Sequence, residues 1–178
     1  MPRLFSGIEI PKTLGDRLAT LRSGLSGARW IDPENYHITL RFLGDVDDQV
    51  AREFADQLAN IRSSAFELRF DGLGSFGGRK PRALWAGINT CEPLIGLQRA
   101  HERAARAAGL APESRNFTPH VTLARLRGPK ASAVANYLEN SSPFSSEPFE
   151  VQHFVLFSSR ASSGGGPYVV EQAFPLGD

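Results

Sequence analysis

The sequence has little cysteine, little lysine and no long apolar run, and each shortage excludes something. Cys91 is its only cysteine. No internal disulfide, zinc ribbon or paired-thiol motif can form, and a reducing compartment is expected. No stretch approaches the roughly 18 uninterrupted apolar residues of a membrane span. Glu9 and Lys12 interrupt the N-terminal segment that a secretory leader would keep apolar. A soluble, cytoplasmic protein with no membrane attachment is expected. An excess of charge is missing as well: 20 basic residues face 19 acidic ones, for a net +1. That balance argues against coating long nucleic acid by bulk electrostatics and leaves room only for a local basic site. Lys12, Lys80 and Lys130 are the only lysines, so the basic charge is mostly arginine. Arginine suits bidentate phosphate binding, although background usage gives the same bias. No glycine-rich loop of the GxxxxGK type occurs, which leaves nucleoside triphosphate chemistry without a foothold.

What is present fits one domain of 178 residues with 41% hydrophobic and 22% charged residues, a globular composition. Alternation predicts strands over 3–10, 36–43, 66–76, 82–88, 120–126, 149–157 and 168–174. Helical spacing predicts helices over 11–25 (Leu14, Leu18, Leu21, Leu25), 47–61 (Val50, Phe54, Leu58, Ile61), 93–108 and 130–138. Gly77-Gly78 reads as a hairpin turn, and residues 162–166 read as a flexible loop. Strands and helices mix without steady βαβ alternation. An α+β domain with antiparallel sheets is expected rather than a doubly wound one.

The informative feature is a repeat. His37-Ile38-Thr39-Leu40 and His120-Val121-Thr122-Leu123 share the form His-β-branched-Thr-Leu, 83 residues apart. Background usage makes two such contexts among four histidines a coincidence on the order of one in several thousand. On a strand, residues i and i+2 share a face, so each histidine shares its surface with its threonine while Ile38, Leu40, Val121 and Leu123 turn to a core. Side by side, the strands present two imidazoles and two hydroxyls. Phosphodiester hydrolysis needs such a set. A water must lose a proton as it attacks phosphorus, the leaving oxygen must gain one, and hydroxyls can donate to the non-bridging oxygens. Two histidines with no carboxylate at ligand spacing fall short of the three or four ligands that zinc requires. His101 and His153 lie in contexts that suggest packing.

Longer blocks surround the motifs: Trp30-Ile31, Pro33-Glu34, Tyr36 to Leu40 and Phe42-Leu43-Gly44 around the first, and Thr118-Pro119 and Ala124-Arg125 around the second. Phe5, Gly7-Ile8-Glu9-Ile10-Pro11, Leu84-Trp85-Ala86-Gly87-Ile88, and Ser158 with Gly166-Pro167-Tyr168 extend the pattern. Together they resemble the 2H phosphoesterase superfamily, and within it the RNA 2′,3′-cyclic phosphodiesterase branch, historically called 2′-5′ RNA ligase. The resemblance implies a single bilobal domain over residues 1–178, its two pseudo-symmetric lobes flanking a central cleft. It implies hydrolysis of a terminal RNA 2′,3′-cyclic phosphate to a 2′-phosphate with neither metal nor cofactor. A monomer is expected. His37 would be the proton donor and His120 the proton acceptor. Thr39, Thr122 and Arg125 would hold the phosphate, and Phe42 would stack on the terminal base. The alternatives are 2′-5′ end joining at the same histidines, turnover of a small cyclic-phosphate nucleotide, and non-catalytic RNA-end binding.

Strand parity and the resemblance disagree at one point. Alternation places Arg41 on the face of His37 and Thr39, and turns Arg125 away from His120 and Thr122. The resemblance nominates Arg125. Both can hold only if the second strand bulges or bends just after Thr122, since one extra residue reverses the facing.

Overall fold

The computed structural model describes residues 3–141, 143–159 and 166–177. The expected flexible loop lies outside the described residues from 162 to 165. In chain order the elements are β1 (Arg3–Glu9), α1 (Lys12–Ala19), β2 (Ala28–Trp30), a 3-10 turn (Pro33–Asn35), β3 (His37–Asp45), α2 (Asp48–Ala59), β4 (Phe66–Leu68) and β5 (Phe70–Phe76). There follow β6 (Ala83–Ile88), α3 (Glu92–Ala107), β7 (His120–Leu126), α4 (Ala131–Ser141), β8 (Phe149–Val151), β9 (His153–Ser159) and β10 (Tyr168–Pro175). The fold is α+β.

Its main sheet is antiparallel in the order β10-β9-β1-β3-β7-β6-β5, with β2 also paired to β7. The two motif strands, β3 and β7, pair through Ile38 and Val121 alone. The sheet is therefore two half-sheets that meet beside the histidines, and β2 covers the rest of that β7 edge. The chain repeats itself across the junction. β1-α1-β3-α2-β4-β5 recurs as β6-α3-β7-α4-β8-β9, and β4 pairs β8 in a small second sheet. Each repeat lends its last strand to the other half: β5 pairs β6, and β9 pairs β1.

The core fills the face opposite the histidines. Leu14 and Leu18 of α1, Phe54 and Leu58 of α2, and Leu94 and Leu97 of α3 bury there against Ile8, Ile38, Leu40, Val121 and Leu123. Burying side chains of this size contributes roughly 1.5–3 kcal/mol each. The start of α2 is capped by Asp47, whose Oδ1 accepts the Val50 N–H at 2.8 Å. A second cluster (Leu84, Ala124, Leu126, Val134, Tyr137) lies between the β6–β7 pair and α4.

Three predicted elements differ. α1 ends at Ala19 rather than at residue 25, because the Thr20 hydroxyl and N–H both bond the Arg17 carbonyl and the chain then turns toward β2. Leu21 and Leu25 still pack against the core, but from non-helical backbone. The single strands expected over 66–76 and 149–157 are each divided, at Arg69 and Gln152, where the chain leaves the small sheet for the large one.

Candidate active site

Both motifs place their histidine at the first residue of a central strand. In each, ring Nδ1 faces the carbonyl two residues upstream: His37 to Asn35 at 2.9 Å, and His120 to Thr118 at 2.6 Å. A carbonyl only accepts, so Nδ1 carries the proton and Nε2 is the nitrogen free for chemistry. His37 Nε2 lies 3.1 Å from the Thr39 hydroxyl. The same local device thus sets the tautomer of both rings, as the repeat leads one to expect.

The bulges decide what stands beside them. Between β1 and β3 the register skips Leu40, with Ser6 opposite Arg41 and Gly7 opposite Thr39. Between β6 and β7 it skips Leu123, with Leu84 opposite Ala124 and Trp85 opposite Thr122. The burial records follow suit, with two consecutive buried residues after each threonine and then an exposed one. Phe42 and Arg125 therefore return to the face of the histidines. Arg125 is near enough to oppose protonation of both His37 and His120. Arg41, nominated by simple alternation, is turned into the protein. It is 7% exposed, with Nε 2.9 Å from Glu102 Oε2 and further donations to the Phe42 and Ala111 carbonyls.

Burial lowers the His37 pKa to about 4. The Asn35 carbonyl opposes that shift, while His120 and Arg125 add to it. His120 is also lowered, first by burial, with the Thr118 carbonyl in opposition and Arg125 adding to the shift. Lowered in this way, both rings are neutral near pH 7. Among the described residues, no three histidine, cysteine, aspartate or glutamate side chains gather into a metal-binding cluster.

A family model described as LigT like phosphoesterase matches residues 8–85 and 88–168. The chain belongs to the LigT-like phosphoesterase family. It is 32% identical over 154 residues to the RNA 2′,3′-cyclic phosphodiesterase of Aquifex aeolicus, covering 84% of this chain and 82% of that one. It is 28% identical over 170 residues to the Archaeoglobus fulgidus protein of the same name, covering 93% and 96%. Its fold superposes on E. coli LigT in apo form with a TM-score of 0.81 at 24% identity, over 99% of each chain. E. coli LigT complexed with 3′-AMP gives 0.78 at 25% identity, again over 99% of each.

In this LigT-like phosphoesterase each histidine rests in an aromatic housing that sequence reasoning missed. The His37 ring lies 4.8 Å from Phe5, 5.4 Å from Phe157 and 5.0 Å from Tyr168, and the His120 ring 4.9 Å from Phe76 and 6.0 Å from Trp85. Half of the signal was present in the repeat, for Phe5-x-Gly7-Ile8 in β1 matches Trp85-x-Gly87-Ile88 in β6. Gly74 completes the second housing, because a Cβ there would run into the Trp85 indole. Phe42 is 42% exposed, with the Arg3 guanidinium 5.7 Å from its ring centre, so it is a surface platform rather than a core residue. A cavity of about 450 Å³ opens behind the His37 housing, walled by Phe157 and Tyr168 and carrying Glu9, Asp16 and Glu34. His101 is fully buried in α3, its Nδ1 2.6 Å from the Ser6 hydroxyl, and His153 is an exposed partner of Glu9.

Proposed function

We propose that residues 1–178 form one catalytic unit that hydrolyses the terminal 2′,3′-cyclic phosphate of RNA to a 2′-phosphate, without a metal ion. The observation that carries this reading is the paired geometry of His37 and His120: matched Nδ1–carbonyl contacts, matched bulges, and Arg125 close to both rings. The relatives named RNA 2′,3′-cyclic phosphodiesterase supply the substrate class.

The chemistry then runs as follows. Neutral His120 takes a proton from water through Nε2 as the water oxygen bonds to phosphorus. The bond from phosphorus to the 3′ oxygen breaks, and His37 delivers the proton on its Nε2 to that oxygen. The products are a 2′-phosphate and a free 3′ hydroxyl. Thr39, Thr122 and Arg125 hold the non-bridging oxygens, whose charge their hydrogen bonds stabilise. Phe42 offers its exposed ring to the terminal base, a contact every base can make. Burial keeps His37 neutral near pH 7, so the donor role requires that a phosphate anion raise its pKa on entry.

The test is direct. An oligonucleotide ending in a 2′,3′-cyclic phosphate is incubated with the protein in EDTA, and the product phosphate is mapped. A 2′-phosphate supports the reading. An unreacted cyclic end, or a 3′-phosphate, overturns it.

A further inference from the structure

Arg29 of β2 stands directly opposite Arg125 of β7 in the antiparallel ladder, and both are exposed. Residues paired in this way share a face, with Cβ atoms roughly 5 Å apart, and like charges so placed destabilise the pair. Neither arginine side chain has an ion pair or hydrogen bond among the described residues. Two arginine side chains rooted side by side, with no carboxylate partner among the described residues, leave room for an anion.

The surroundings extend the charge. On its other side Arg125 faces Ala83, at the start of β6. The turn leading into that strand carries Arg79, Lys80 and Arg82, all exposed, and Arg127 follows β7. The segments 23–31, 76–86 and 121–138, which run to this end of the sheet, contain no aspartate or glutamate. None of these basic residues has a carboxylate partner among the described residues. The other side of the histidines differs in character, since the cavity behind His37 carries Glu9, Asp16 and Glu34 against a single lysine, Lys12, which pairs with Asp16 at 3.0 Å. A net charge of only +1 thus conceals a segregated surface. Phe76 and Trp85 lie on the same face, between the basic turn and His120.

We infer that Arg29 and the Arg79–Lys80–Arg82 turn form a phosphate-binding track for the single strand of RNA that leads up to the reacting terminus. This rests on the proposed reaction only for where the terminus sits. Arg29 takes the phosphate next to the one held at Arg125, and the turn takes those further along. The strand leaves over the β2–β7–β6 end, away from the cavity behind His37. A phosphodiester chain is the occupant that fits, because it presents a row of single negative charges.

The experiment measures binding of fluorescent oligonucleotides of increasing length, each ending in a stable 3′-phosphate, to the full chain at several salt concentrations. Affinity is expected to rise at least tenfold from a dinucleotide to a hexanucleotide and to fall steeply with salt. Arg29→Gln and the double substitution Arg79→Gln, Lys80→Gln are each expected to remove most of that gain. The logarithmic salt slope should shrink by about 0.7 per lost phosphate contact. Affinity that does not depend on length, or variants that keep the full gain and slope, overturn the track. Because this readout involves no turnover, it stands apart from the reaction: a protein that binds strands in this way but leaves cyclic ends intact refutes the proposed hydrolysis alone.

Discussion

Nε of Arg41 sits 2.9 Å from Oε2 of Glu102, on the side of β3 turned away from His37. Burial disfavours the Glu102 charge, but Arg41, the Glu113 N–H and Arg106 outweigh it and hold the carboxyl below its usual range. The bulge at Leu40 creates this pair by turning Arg41 inward. Arg41 and Arg125 should therefore fail in different ways. Arg41→Ala removes Glu102's main partner and should cost about 1–3 kcal/mol of stability, with kcat/KM of the folded fraction little changed. Arg125→Ala should leave the melting temperature alone and lower kcat/KM by about 2–4 kcal/mol of transition-state binding. Thermal melts and steady-state kinetics on both variants check this.

The low His37 pKa gives a second expectation. In the free protein its ring should titrate near pH 4, followed by NMR of its Cε1 resonance. Saturating phosphate between the histidines should move the midpoint upward by a pH unit or more, since a nearby anion favours the charged imidazole. An unmoved midpoint would leave His37 unable to act as the acid near neutrality.

Acid should destabilise the fold through a different histidine. Burial lowers His101 to about 3, against an ordinary value of 6.5. Below pH 6.5 the unfolded chain binds a proton that the folded one refuses, so stability is full above that pH and is lost as pH falls toward 3. The slope is about 1.4 kcal/mol per pH unit for one group. His101→Gln should flatten the dependence of stability on pH between 6.5 and 3, measured by urea unfolding, whatever its effect at neutral pH.

Chelation should have no effect on turnover. Activity on a cyclic-phosphate substrate should survive dialysis against EDTA and gain little from added zinc, magnesium or manganese. Recovery of a chelated, inactive protein on addition of one metal would contradict the proposed chemistry.

Much of this was legible because it is local. His-x-Thr-Leu puts an imidazole and a hydroxyl on one face of any strand, and the sequence says so twice. The junction of β3 and β7 through Ile38 and Val121 was not legible, since no local pattern encodes which strands become neighbours. The bulges were legible only as a conflict: parity and resemblance disagreed over Arg41 and Arg125, and one extra residue in each strand resolves the disagreement. The division at Arg69 left no trace, because Phe66, Leu68 and Phe70 are all buried and the period-2 pattern runs straight through it. Leu21 and Leu25 misled for the opposite reason, since they keep helical spacing and pack on the core without being helical.

The most direct measurement is the single-turnover rate on a 2′,3′-cyclic-phosphate oligonucleotide as a function of pH, for the native protein and three histidine variants. The native protein should give a bell, because one imidazole must hold a proton and the other must lack one. His37→Ala and His120→Ala should each lose most of the rate and one limb of the bell. His153→Ala, which alters only the exposed pair with Glu9, should keep rate and shape. A flat native profile from pH 5 to 9 with chemistry rate-limiting, or near-native rates in either motif variant, would contradict the two-histidine mechanism.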